Sequence, residues 1–189
     1  GQSYENKELI VVDGGSSDGT IEVLKSYGEK IKWVSEKDNG QADAINKGFR
    51  IATGEIVTWL NADDYYESNI FNRVVDQFKK NINIVLVYGK CRFIFENKTE
   101  VATPPENITA EKMIQKGNFI YQPASFIRME TAKRVGYLDD GLNYWMEYDL
   151  FIKLLKNGYP VYVGEVLSNF TVREDQKSNF KNILKMDNE

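Results

Sequence analysis

Apolar and polar positions along the 189-residue chain switch between two periods. The run 8–13 (ELIVVD) is β-branched and apolar and predicts a strand; 20–27 then sets Ile21, Leu24 and Tyr27 at helical spacing. The pattern repeats. A short strand over 31–35 (IKWVS) precedes a helix over 41–53 with Ala42, Ile45, Phe49 and Ala52 on one face and Gly54 as its stop. A strand over 55–60 leads to an amphipathic helix over 68–79 carrying Ile70, Phe71, Val74, Val75 and Phe78, and 85–88 is a further apolar strand. This βαβαβαβ order argues for a parallel sheet covered by helices on both faces.

The second half reads differently. Residues 89–101 alternate, with Asn97 and Lys98 placed to turn a hairpin, and Pro104 and Pro105 stiffen the loop beyond. Short helices are expected over 110–115 and 131–135, with a strand over 123–128 between them. Residues 145–156 open with aromatics and carboxylates and continue as an amphipathic helix through Leu150, Phe151, Leu154 and Leu155. Strands over 159–163 and 166–172 follow, and the polar stretch 173–189 reads as a mobile tail. No repeat or linker interrupts the chain, so 1–189 reads as a single α/β domain.

Composition narrows the chemistry. The chain has no histidine, which removes imidazole metal ligands, imidazole bases and Ser-His or Cys-His pairs; carboxylates, amides, hydroxyls and Lys/Arg remain. A net charge of −4 without a basic block gives no footprint for nucleic acid. The single cysteine, Cys91, cannot form an internal disulfide, which favours a reducing, cytoplasmic setting, and no apolar run reaches membrane-spanning length.

Two stretches carry candidate chemistry. The strand over 55–60 ends in Asn61, Ala62, Asp63 and Asp64. In an open parallel sheet ligands bind beyond the carboxyl ends of the strands, and two adjacent carboxylates there invite a divalent cation with oxygen ligands. The same residues also suit an Asn-Asp turn capping the next helix. The loop 14–19 (GGSSDG) offers bare backbone amides to an anion or to sugar hydroxyls, and it has neither the Gly-Lys-Ser/Thr of a P-loop nor dinucleotide glycine spacing.

Taken in order, VVDGGSSDGT, EKDNGQADAINKGFRIATGE, WLNADD, FIRMETAKRVGYLDD and WMEYDLFIKLLKNGY resemble a family 2 glycosyltransferase of the GT-A fold. The resemblance implies a Rossmann-like, mixed and mainly parallel sheet. It also implies inverting transfer of a sugar from a nucleoside-diphosphate donor, with a lean to uridine, to a glycan or lipid-linked acceptor hydroxyl, assisted by Mg²⁺ or Mn²⁺. On the matching positions, Asp13 and the segment holding Gly40 and Asp43 would face the nucleoside. The metal-binding D-x-D falls on Asn61 to Asp63, so the metal moves to Asp63 and Asp64 and Asn61 becomes a hydrogen-bonding neighbour of the donor. Glu147 falls at the base position, with Asp149 beside it as the alternative; both also suit a helix N-terminus. Arg173 stands where relatives often place a histidine near the diphosphate. Relatives begin with one more strand and helix, so the chain is expected to be N-terminally truncated, with an incomplete sheet open to oligomerisation. Peripheral membrane association is a further expectation. A non-catalytic nucleotide-sugar binding module and a sugar nucleotidyltransferase are the competing readings.

Overall fold

The structure is a computed structural model that describes residues 1–173. The tail expected over 173–189 lies outside the described residues except for Arg173. The first unit is β1 (Ile10–Asp13), α1 (Thr20–Ser26), β2 (Lys32–Ser35) and α2 (Gln41–Ile51). Next come β3 (Ile56–Val57), β4 (Tyr65–Tyr66), α3 (Ile70–Lys80), β5 (Ile84–Ile94) and β6 (Thr99–Ala102). The chain continues with α4 (Ala110–Lys116), β7 (Ser125–Arg128), α5 (Met129–Arg134), α6 (Met146–Leu155) and β8 (Tyr159–Thr171).

The α/β architecture expected from the patterning is present and is mixed, as the family resemblance implies, with its strands in two sheets. β1 pairs in parallel with β2, and β3-β7-β5-β8-β4 form a second sheet to which β6 adds on β5. β3 and β5 share a direction, as the βαβ order implies, but antiparallel β7 lies between them. The direct parallel pairings are β1–β2 and β5–β8. Among the described residues β1 pairs only with β2, and β3 only with β7.

Both faces of β5 are buried, which is why its run reads as continuously apolar. Leu86 and Tyr88 enter a core with α2, α4 and α6, while Ile84 and Val87 meet Ile70, Val74 and Phe78 of α3 on the other side. The predicted hairpin is present: Phe95 N–H donates to Lys98 O (2.9 Å) between β5 and β6. β5 is longer than the apolar run that announces it, and β8 is continuous where two strands were expected. Gly89 explains part of this. A Cβ there would lie 2.7 Å from Glu165 O and from Leu167 Cγ, so only glycine lets the irregular stretch of β8 pass so close.

The β3 ladder is shorter than its apolar run because side chains replace it. Thr58 Oγ1 donates to Ser125 O (2.7 Å), and Gln122 Nε2 donates to Trp59 O (2.7 Å). Tyr66 OH completes the knot on Thr58 Oγ1 (2.7 Å). The stretch leading to the acidic turn is therefore fixed to the start of β7 without ladder bonds.

Glu8 ties the two sheets together. Its Oε1 accepts from Thr53 N (2.6 Å), Thr53 Oγ1 (3.0 Å) and Gly54 N (3.0 Å), just ahead of β3, and its Oε2 pairs with Lys32 (2.7 Å). Burial works against ionisation, but these donors outweigh it and hold the carboxyl at about 2, below its ordinary 4.5. A depressed carboxylate stabilises the fold above its unfolded value and loses that contribution as pH falls through the folded one. Glu8→Gln should therefore cost on the order of 1–2 kcal/mol at pH 7. The gap to wild type in urea melts should close between pH 4.5 and about 2; an unchanged gap at pH 2.5 would remove Glu8 as the acid-sensitive tie.

Candidate active site

The loop after β1 is organised by Asp13. Its carboxylate accepts from Gly15 N (3.0 Å), Ser16 N (2.9 Å), Ser16 Oγ (2.5 Å) and Ser35 Oγ at the end of β2 (2.7 Å). The Ser16 and Ser35 hydroxyls hold it far below the usual carboxylate range. A short polar residue at a strand end curls the following loop onto itself; the serines recruited to it were not singled out by the sequence pattern.

The loop after β2 is built the same way. Asp43 Oδ2 accepts from Asn39 N (3.0 Å), and Lys47 pairs with Asp43 (3.3 Å) and with Glu36 (3.0 Å). The Asn39 N–H, followed by Lys47, keeps Asp43 ionised below its ordinary value. Gly40 N–H donates to Asp38 Oδ1 (3.0 Å). The two loops touch: a Cβ on Gly14 would meet the Asp38 carboxylate at 2.5 Å, so a larger residue there would push that side chain aside. Asp13 thus stands at the end of β1, and Gly40 and Asp43 at the start of α2, where each holds the loop beside it.

The acidic turn is held from both sides. Gln41 Nε2, on the first residue of α2, donates to Asn61 Oδ1 (2.9 Å), and Asn61 Nδ2 points to Asp64 Oδ2 (3.4 Å). Asp64 N–H closes the turn on Asn61 O (3.1 Å). On the far side Thr171 N–H donates to Asp64 Oδ1 (3.1 Å), and Thr171 Oγ1 donates to Asp63 O (2.7 Å). Asp64 is buried, and burial raises its carboxyl to about 6, against the pull of the Thr171 N–H and with the Asp63 charge adding to the rise. The Asp63 side chain keeps 23% exposure, with Arg173 Nε 3.8 Å from its Oδ2.

Asn61, Asp63, Asp64 and Arg173 are therefore brought together, and Gln41 and Thr171 join them. Neither was expected. Thr171 left a signal, since Asn169, Thr171 and Arg173 alternate with Phe170 and Val172 at the strand period. Gln41 left none beyond its place at a helix start.

Glu147 and Asp149 lie in the first turn of α6. Two positions apart on a helix they project to different sides. Asp149 pairs with Lys153 one turn on (2.5 Å). Met146 roots this turn in the core cluster that also holds Ala42, Phe49 and Trp59, so α6, α2 and the strand leading to the acidic turn share one packed base. Trp145 meets Tyr148 edge-on (5.8 Å), and Tyr148 OH donates to Met113 O of α4 (2.7 Å). Among the described residues no three His, Cys, Asp or Glu side chains cluster as a metal cage, and no helix is long and apolar enough to cross a membrane.

The pattern of glycosyl transferase family 2 matches residues 1–136. A glycosyltransferase of Rickettsia typhi is 30% identical over 186 residues, covering 94% of this chain and 58% of the relative. Chondroitin synthase of Pasteurella multocida is 28% identical over 94% of this chain and 19% of its own length. Among solved structures, TarS of S. aureus in complex with UDP has the same fold, with a TM-score of 0.71 at 17% identity over 92% of this chain and 54% of that one. TarS in complex with UDP-GlcNAc also superposes at 0.71, with 18% identity over 93% and 53%. The chain spans a little over half the length of the Rickettsia relative and of the TarS chains. It belongs to glycosyl transferase family 2.

Proposed function

We propose that this chain carries the catalytic site of a glycosyltransferase that moves a sugar from a nucleoside-diphosphate sugar to an acceptor hydroxyl, with inversion and with help from Mg²⁺ or Mn²⁺. The observation that carries the reading is the turn from Asn61 to Asp64, clamped between α2 and β8, with Asp63 left partly exposed beside Arg173. UDP and UDP-GlcNAc bound to TarS, whose fold this chain shares, support a uridine donor. The likeness to chondroitin synthase supports a glycan acceptor.

The donor set suits the metal. Two neighbouring carboxylates, one of them buried and reluctant to ionise, gain from a divalent cation. Mg²⁺ commonly takes one or two carboxylates and completes its shell with substrate phosphates and water. Asp63 would hold it, with Asp64 behind. When bound, the ion neutralises the charge that develops on the departing nucleoside diphosphate. Arg173, released from Asp63, offers a forked and permanently charged donor to the same phosphates. Asp13, Gly40 and Asp43 shape the two loops that take the nucleoside. Their hydrogen bonds keep those loops in one conformation, so that less ordering is needed when the donor binds.

Glu147 is taken as the base because it falls at the base position of the family pattern, with Asp149, which pairs with Lys153 one turn on, as the alternative. The acceptor oxygen attacks the anomeric carbon as the bond to the β-phosphate oxygen breaks, and Glu147 takes the hydroxyl proton. Lipid-linked acceptors, and with them a membrane-surface location, fit the same chemistry.

Two variants test the assignments. Asp63→Ala should abolish the Mn²⁺-dependent part of UDP binding, measured by calorimetry, while leaving the melting curve close to wild type; unchanged Mn²⁺ dependence would remove Asp63 from the site. Glu147→Gln keeps size and hydrogen bonding but cannot accept the proton, so transfer should fall by roughly 10²–10⁴ with donor affinity retained. Greater damage from Asp149→Asn would move the base to Asp149. If donor binding is intact but wild type neither transfers the sugar nor hydrolyses the donor, the chain is a binding module.

A further inference from the structure

The end of β8 does more than close the sheet. β4 and β8 are antiparallel, with Tyr65 opposite Asn169 and Tyr66 opposite Ser168. The same register, carried two positions further, sets Asp63 opposite Thr171. No backbone ladder forms there. The Thr171 hydroxyl takes the Asp63 carbonyl (2.7 Å), and the Thr171 N–H, which a ladder would give to a carbonyl, goes to the Asp64 carboxylate (3.1 Å). Both ends of the Asp63–Asp64 peptide are thereby gripped by one residue.

Thr171 is itself firmly placed. Val172 N–H donates to Ile94 O of β5 (2.8 Å), and Ile94 stands in register with Thr171. Two positions back on the same face, buried Asn169 accepts from Arg92 (2.8 Å) and donates to Glu67 (3.2 Å), and Arg92 pairs with Glu67. Two positions on, Arg173 approaches Asp63. Asn169, Thr171 and Arg173 thus form one stripe that walks along the segment from Glu67 back to Asp63.

We propose that Thr171 is a positioning residue. Its hydroxyl fixes the Asp63 carbonyl and its amide engages Asp64, so that Asp63 is the carboxylate left to face the metal-bound diphosphate. The inference rests on the functional reading of Asp63 given above, and it adds a residue that touches neither metal nor donor.

The test compares Thr171→Val, which keeps shape and backbone but removes the hydroxyl, with Thr171→Ser, which restores it. Two readouts are needed. The first is UDP affinity with Mn²⁺ and with EDTA. Valine should raise the Mn²⁺ concentration for half-maximal UDP binding about ten-fold, the size expected for one lost hydrogen bond. It should leave metal-free UDP affinity alone, and serine should return to within about three-fold of wild type. The second readout is amide exchange at Asp64, whose N–H closes the turn on Asn61, in nucleotide-free protein; valine should speed it about ten-fold and serine should not. Equal losses with and without Mn²⁺, failure of serine to rescue, or unchanged exchange in Thr171→Val would each overturn the proposal. If wild type shows no Mn²⁺ dependence at all, the metal reading of Asp63 is what fails, and the clamp stands or falls on the exchange rates.

Discussion

Asn61 receives a hydrogen bond from Gln41 at the head of α2 and points its own amide at Asp64, whose carboxylate is held by Thr171 at the end of β8. This relay crosses the turn that carries the partly exposed Asp63. It joins elements more than a hundred residues apart in sequence. Such a turn could not hold one shape alone: two adjacent carboxylates repel, and a buried one resists ionisation. The neighbours make it stable without neutralising it. The donors that engage Asp64 are an amide and a backbone N–H, and Arg173 approaches the partly exposed Asp63 at 3.8 Å. The result is a fixed patch of negative charge at a sheet edge, suited to a cation and its phosphates.

The remaining candidate residues fall into line with this arrangement. Asp13 and Asp43 spend their carboxylates on hydrogen bonds that hold the loops after β1 and β2. α6 is rooted beside α2 and Trp59 in one hydrophobic cluster, so Glu147 is carried on the same rigid base as the turn. Glu8 bridges the entrance to β3 and the two-stranded β1–β2 unit, whose strands have no ladder to the larger sheet among the described residues. That unit depends on side-chain ties and on α2 for its place.

Much of this was legible in the sequence, for reasons tied to period. The helices announced themselves because each packs one apolar stripe, as Ile70, Val74 and Phe78 do on α3. β5 was legible where both its faces are buried, and the turn at Asn97 and Lys98 by its chemistry. The insertion of β7 between β3 and β5 was not, because pairing order is a long-range choice that no local pattern encodes. Nor was the short ladder of β3, where the Thr58 and Gln122 side chains do the work of backbone bonds. At the site, the charged residues were visible and their holders were not. Asp63 and Asp64 stand out as an acidic pair after an apolar strand, whereas Thr171 is an ordinary β-former whose role depends on what lies opposite it.

The central claim is that Asp63, held in place by its neighbours, is where this chain meets the diphosphate of its donor. Anomalous diffraction from crystals grown with UDP and Mn²⁺ tests it most directly. The account predicts a manganese peak on the Asp63 carboxylate, bridged to the UDP phosphates, with the Thr171 bonds intact and Arg173 moved from Asp63 toward the diphosphate. UDP bound with its phosphates away from the turn, or with manganese on carboxylates other than Asp63 and Asp64, would contradict it.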